Sequence, residues 1–228
     1  MDPFTILGLI SFVPAIVILY FILGDFEGCF KDNKAFFMII LGLGLGMVLG
    51  FISLYFDLSS FSMTLLVIVQ IEVVKFFILL QKPFRLNHDS TFYGLALGTG
   101  IGAMLVFVYS YAAALAFLEE GTLLDLSTVL FVFLISYNYT LVNASTGAII
   151  GYGSYKGDFW IYLVKGVVVN GVHGLMMTTV WSFQFGLTGS FAVLIVGAVY
   201  CTVLIFYIYN EVLLPSIPDE LKKHLEKD

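Results

Sequence analysis

The sequence predicts an all-α membrane protein, a seven-transmembrane helix bundle, and three observations lead to this fold class. The 228 residues are 60% hydrophobic and only 11% charged, whereas a soluble domain is about 45–50% apolar and about 25% charged. Apolar runs of roughly 20 residues, the length that crosses a bilayer, recur along the whole chain. These runs are continuous, whereas the strands of a membrane β-barrel alternate between polar and apolar residues.

Seven helices follow from these apolar runs, and several exceed the span length, so we expect tilted or kinked helices. Residues 1–214 are predicted to form a single transmembrane domain and residues 215–228 a short cytoplasmic tail with an amphipathic helix, Pro218 to Leu225. The predicted spans are Phe4–Gly24, Ala35–Phe56, Phe61–Gln81, Thr91–Leu118, Thr128–Gly153, Phe159–Leu187 and Phe191–Leu214.

The cations outside these spans predict the orientation. All of them follow an odd-numbered span, and the positive-inside rule places such loops in the cytoplasm. They are Lys31, Lys34, Lys82, Arg85, Lys156, Lys222, Lys223 and Lys227. We therefore expect the N-terminus outside and the C-terminus inside, in a multi-pass protein of the cell membrane. The loops are short, so any activity is expected within the bilayer, among membrane lipids.

Charge and cysteine content exclude other classes of protein. The chain carries 10 Lys and Arg against 16 Asp and Glu and has no basic patch, so we expect no nucleic-acid partner. Cys29 and Cys201 are far apart, which excludes a disulfide scaffold and a CxxC metal or redox site.

Two spans carry glycine at every fourth position, which places each set on one helix face and lets helix backbones approach closely. These faces predict packing within the bundle; the alternatives are a homo-oligomer interface or a groove that docks a transmembrane helix of another protein. The sets are Gly42, Gly46 and Gly50 in span 2, and Gly94, Gly98 and Gly102 in span 4.

Ionisable and amide side chains inside the predicted spans are the candidate functional residues, because a charged group in the bilayer centre is costly. Glu72 and Lys75 lie three residues apart on one face of span 3. They form either an ion pair that stabilises the bundle or a site in which the carboxylate is a base or a metal ligand. His173 in span 6 and Asn143 in span 5 are either hydrogen-bonding groups between helices or ligands.

Glu72, Asn143 and His173 are predicted at one depth, so a bundle that joins spans 3, 5 and 6 would gather them. A catalytic zinc site has three protein ligands and an open fourth position. Glu72 and His173 are suitable ligands, and the Asn143 carbonyl is a weak third. Zinc is therefore the candidate cofactor.

Five segments, in order, resemble motifs of PrsW-type intramembrane metalloproteases and together cover most of residues 13–177. The segment PAIVILYFILGDFEG resembles the first span and the Asp that follows it, and IEVVK resembles the EExxK motif. YGLALGTGIGAM resembles the Gly-rich span, NASTGAIIGYGSYKGDFW the HAxxTAxxGY segment, and VNGVHGLMM the last histidine segment. The helical plan is also similar to CAAX prenyl endopeptidases and to the non-catalytic gamma-secretase subunit of the anterior-pharynx-defective type.

The resemblance implies that Glu72, Lys75 and His173 are the catalytic residues. Glutamate would activate a zinc-bound water and histidine would hold the metal. The other family positions differ here: they hold Ile71 for the first Glu of EExxK, Leu105 for the second glutamate, Asn143 for the first histidine and Met177 for the Asn or Asp after the last histidine.

Three functions remain open at this point. The first is a metal-dependent intramembrane endopeptidase that cleaves transmembrane or membrane-proximal peptides, with Asn143 as a ligand or oxyanion donor. The second is a non-catalytic relative that binds or scaffolds transmembrane helices of other proteins, with Glu72, Lys75, Asn143 and His173 as an internal hydrogen-bond network. The third is a small transporter or channel, for which the expected internal repeat is not apparent.

Overall fold

The computed structural model describes residues 3–119, 126–182 and 186–221, and every regular element within these ranges is helical. Seven helices are long and apolar enough to cross a membrane, which confirms the predicted all-α class and the predicted number of long apolar helices. The helices are α1 (Pro3–Ile18), α2 (Asp32–Ser53), α3 (Phe61–Leu79), α4 (Ser90–Glu119), α5 (Leu126–Lys156), α6 (Phe159–Trp181), α7 (Gly186–Ile208) and the short α8 (Leu214–Ser216).

The helix ends differ from the predicted ends in several places. α6 ends at Trp181, before the predicted Leu187, and the backbone N–H of Ser182 donates to the carbonyls of Thr178 and Val180 at this end. α7 begins at Gly186, whose φ is 63°. Two π-helical turns, Leu19–Leu23 after α1 and Tyr209–Leu213 after α7, lengthen these two spans. Most of the predicted tail helix, from residue 222 on, lies outside the described residues.

α4 and α5 form the centre of the bundle, and the other spans surround this pair. α4 is the most enclosed span: 89% of its apolar window is buried, against 28–44% for the other spans. α1 packs on both central helices, α2 packs on α4, and α7 packs on α5 and α6. α3 lies against α4, α5 and α6, so its buried face meets two helices that carry polar residues.

The predicted glycine faces are contact surfaces between helices: the face of α2 meets α4, and the face of α4 meets α5. A Cβ atom at Gly98 would collide with the Asn143 carbonyl oxygen on α5, and one at Gly46 would lie 2.7 Å from the Ile101 carbonyl oxygen on α4. Glycine is therefore required for the observed helix spacing at both positions. Gly44, beside the α2 face, has no atom within 4 Å of such a Cβ. Both faces are covered within the chain, as the packing interpretation predicts.

The loops that carry the predicted cytoplasmic cations meet at one end of the bundle. Lys34 Nζ donates to the Pro83 carbonyl oxygen at 3.4 Å, which joins the first turn of α2 to the loop after α3. The backbone N–H of Leu86 donates to the Ser154 carbonyl oxygen at 3.1 Å, which brings the end of α5 to the same place. The side of the membrane that this end faces stays a prediction.

Candidate functional site

Three helices place six polar side chains in the interior of the bundle. α3 supplies two charged residues, α5 an amide and a hydroxyl, and α6 an amide and an imidazole. All six are at most 3% exposed, so a polar atom among them that lacks a hydrogen-bond partner is energetically costly. They are Glu72, Lys75, Asn143, Thr146, Asn170 and His173.

The Lys75 ammonium is the centre of this cluster. Its Nζ donates to Glu72 Oε1 at 2.9 Å, to Asn143 Oδ1 at 2.9 Å and to Thr146 Oγ1 at 2.8 Å, and it lies 3.3 Å from the Asn143 carbonyl oxygen. An ammonium has three donors. The partners on α3 and α5 therefore use the full capacity of Lys75.

The two oxygen atoms of the Glu72 carboxylate differ in their hydrogen bonds. Oε1 accepts from Lys75, from Thr146 Oγ1 at 3.0 Å and from Asn170 Nδ2 at 2.6 Å. Oε2 has no hydrogen-bond partner among the described residues and faces Gly166, where a Cβ would lie 3.3 Å away. The small residue at 166 thus allows α6 to approach the carboxylate closely.

His173 lies one helical turn beyond Asn170 and is outside the hydrogen-bond cluster. Its ring meets the Tyr139 ring edge to face, with centroids 5.0 Å apart, and its Nε2 has no partner within the described chain. A cavity of about 20 Å³ borders His173, Asn170, Asn143 and Tyr139. A cavity of this size holds at most a single water molecule.

The structure therefore brings some of the predicted site residues together and leaves one apart. Glu72, Lys75 and Asn143 are in direct contact, and Asn170 connects Glu72 to the turn that carries His173. Thr146 and Asn170 were not predicted as site residues. Each lies three residues from a predicted one, in the spacing that shares a helix face, and this spacing is the signal that could have identified them.

The donor set in this arrangement does not fit zinc. Lys75 takes the place of a cation between Glu72 Oε1 and Asn143 Oδ1, and His173 bonds to neither residue. Among the residues that the structure describes, no three His, Cys, Asp or Glu side chains are grouped to hold a metal ion. Binding through Glu72, Asn143 and His173 would require Lys75 to leave both oxygens.

Comparison with known proteins adds no further constraint. No protein-family model matches the chain, and no curated protein or solved structure is significantly similar to it. The PrsW-type resemblance thus stays a prediction that rests on the five sequence motifs.

Proposed function

We propose that this chain is a non-catalytic polytopic membrane protein that binds or scaffolds transmembrane helices, and that its polar cluster holds the bundle together. One observation carries the proposal: the cluster is closed. Lys75 uses all its donors within the protein, and the adjoining cavity of about 20 Å³ has no room for a peptide. Pockets that bind small molecules have volumes of about 300–1,000 Å³.

The connections between the helices support the same proposal. The described loops after α2 and α3 cover only residues 54–60 and 80–89, and α5 and α6 are joined through residues 157 and 158. These connections are too short to form a separate domain. The proposed interaction surface is the outer, membrane-facing surface of the bundle, where transmembrane helices of partner proteins can pack.

Substitution of the ion pair tests the structural role of the cluster. We expect Glu72→Gln and Lys75→Met each to lower the free energy of unfolding in detergent by about 3–5 kcal/mol, because each leaves a buried charge unpaired. We expect the double variant to lose less than the sum of the two single losses, because it removes both charges. Stabilisation by Glu72→Gln alone would instead indicate a carboxylate kept for activity, and would contradict the proposal.

Partner binding is tested separately, by site-specific photocrosslinking from the outer surface in native membranes. A photoreactive residue replaces Val168 on α6 or Val199 on α7, which are 59% and 60% exposed. We expect a discrete adduct with a membrane-spanning protein from at least one outward helix face. A buried position, Met177, is the matched control because it is 0% exposed. If every outward position gives only lipid adducts, the scaffold role is wrong.

A second candidate, a metal-dependent intramembrane endopeptidase, is favoured by two buried atoms. Glu72 Oε2 and His173 Nε2 both lack partners within the described residues. This function predicts that the purified protein contains stoichiometric, chelator-sensitive zinc and that His173→Phe removes it. The proposed scaffold predicts a folded protein without bound zinc, and His173→Phe then leaves the folding stability unchanged.

A further inference from the structure

Gln70 is an amide in the middle of α3 that the rest of the described chain does not satisfy. It lies midway between Phe61 and Leu79, the two ends of the helix. Its side chain is partly exposed, and no hydrogen bond joins it to any residue that the structure describes. An amide transferred to an apolar environment without a hydrogen bond costs roughly 2–7 kcal/mol. A polar group at this depth therefore calls for a partner outside the chain.

The side chain of Gln70 is directed away from the bundle. The buried face of α3 includes Ile68, Ile71, Glu72 and Lys75, which contact α4, α5 and α6. With about 3.6 residues per turn, Gln70 lies roughly opposite the middle of this face. It therefore points toward the membrane rather than toward the polar cluster.

Gln70 is part of a regular stripe of outward residues, which we call the α3 seam: Met63, Leu66, Gln70, Val73 and Phe77. Their spacing of three and four residues is that of the a and d positions of a heptad repeat, which forms the contact line between two paired helices. Met63, Leu66 and Phe77 are 42%, 44% and 59% exposed, and Gln70 and Val73 are half-buried, so most of the seam is uncovered in the isolated chain.

Other outward faces are apolar at a comparable depth. Ile40 on α2, Val168 on α6 and Val199 on α7 are 51%, 59% and 60% exposed. Lipid tails are a suitable environment for these apolar side chains, whereas they provide no hydrogen-bond partner for an amide. The seam thus differs from a lipid-facing surface at one residue, and that residue occupies its central a position.

We propose that the α3 seam pairs two copies of this chain, with the two Gln70 amides hydrogen-bonded to each other. An amide has both donors and an acceptor, so Gln70 is complementary to itself. Two copies inserted in the same direction and related by a two-fold axis along the membrane normal bring identical residues to the same depth. A polar residue at one a position also fixes the register and the number of helices in such a pair.

The dimer is independent of the function proposed above, because the seam and the polar cluster occupy opposite faces of α3. It also differs from an oligomer through the glycine faces of α2 and α4, which are covered within the chain. If the chain does not dimerise, the test of the ion pair is unaffected. If the ion-pair test contradicts the proposed function, the dimer proposal is unaffected.

Disulfide crosslinking in reconstituted bilayers tests the geometry. We expect Gln70→Cys and Phe77→Cys, both at a positions, to form disulfide-linked dimers of the full chain under mild oxidation. The matched control on the same helix is Val69→Cys, which is 39% exposed but off the seam. The native Cys29 and Cys201 are 3% and 0% exposed and can remain. Equal crosslinking of Val69→Cys, or no crosslinking from the seam, would show the interface to be wrong.

Energy transfer between labelled copies at decreasing protein-to-lipid ratio tests the amide itself. We expect Gln70→Leu to weaken self-association about tenfold, since an interhelical hydrogen bond in membranes contributes about 1–2 kcal/mol in model peptides. Gln70→Asn should retain most of the affinity, and the unfolding of the Gln70→Leu monomer should match the parent. A parent chain that is monomeric throughout, or unaltered association in Gln70→Leu, would overturn the proposal.

Discussion

Asn170 joins α6 to the ion pair of α3 through the shortest hydrogen bond of the cluster, 2.6 Å to Glu72 Oε1. Hydrogen bonds to charged groups contribute about 1.5–3 kcal/mol, more than those between neutral groups. A single amide at this position therefore makes a substantial contribution to the attachment of α6.

We expect Asn170→Leu to lower the free energy of unfolding in detergent by about 1.5–3 kcal/mol, because Glu72 loses a donor that leucine cannot replace. His173→Phe is the control on the next turn, since Nε2 has no partner within the described chain and the phenyl ring preserves the contact with Tyr139. If both variants unfold alike, the carboxylate does not depend on Asn170.

At the level of single residues, the sequence predicted which residues belong to the site, but it did not predict which of them contact each other. Glu72, Lys75 and Asn143 stood out because polar side chains inside an apolar run are costly. The partners of Lys75 could not be read in the same way, because they depend on the rotation of α5 against α3. His173 was predicted to lie beside Glu72, yet its ring packs against Tyr139. The sequence could not predict this contact, because Tyr139 is one of many aromatic residues in apolar runs.

Among the helices, α4 and α5 are in the closest contact, and their backbones meet through glycine on both sides. A Cβ at Gly94 would collide with the Gly147 carbonyl oxygen, and a Cβ at Gly147 would collide with that of Gly94. With no hydrophobic drive between helices in lipid, such close packing is a main source of their association.

We expect Gly98→Ala to destabilise the bundle by about 1–3 kcal/mol, because the added methyl group must push α4 away from the Asn143 carbonyl of α5. Gly44→Ala is the matched control, since a Cβ there meets no atom within 4 Å and alanine favours the helix by up to about 1 kcal/mol. Thermal unfolding in one detergent gives both values. Equal effects of the two substitutions would argue against backbone contact as the cause.

The existence of the helices was predictable from hydropathy, and their ends were less so. Pro3–Ile18 was expected to be part of one continuous span, but it passes into a π-helical turn at Leu19–Leu23. Apolar residues fit either helix type equally well, so composition does not distinguish them. α5 begins at Leu126 and ends at Lys156, beyond the apolar run on both sides, because polar residues also continue a helix.

For the whole molecule, the orientation in the membrane is the prediction with the widest consequence. Two exposed residues lie in the loops on either side of α3. Tyr55 is in the loop between α2 and α3, and Arg85 is in the loop between α3 and α4. We expect Tyr55→Cys to react with a membrane-impermeant maleimide from the outside, and Arg85→Cys to react only after permeabilisation, because cations are retained in the cytoplasm. A cysteine at position 223 should behave as one at position 85. Labelling of positions 85 and 223 from opposite sides would refute the seven-span topology.

The distances along the chain between the members of the polar cluster affect how the protein is made. Lys75 is separated from Asn143 by 68 residues, and Glu72 from Asn170 by 98. At a synthesis rate of about 5–20 residues per second, α3 emerges roughly 5–20 s before Asn170 does. Until Asn143 emerges on α5, the carboxylate and the ammonium of α3 have only each other, three residues apart. Their spacing on one helix therefore lets the nascent segment enter the bilayer with its charges already matched, before its later neighbours exist.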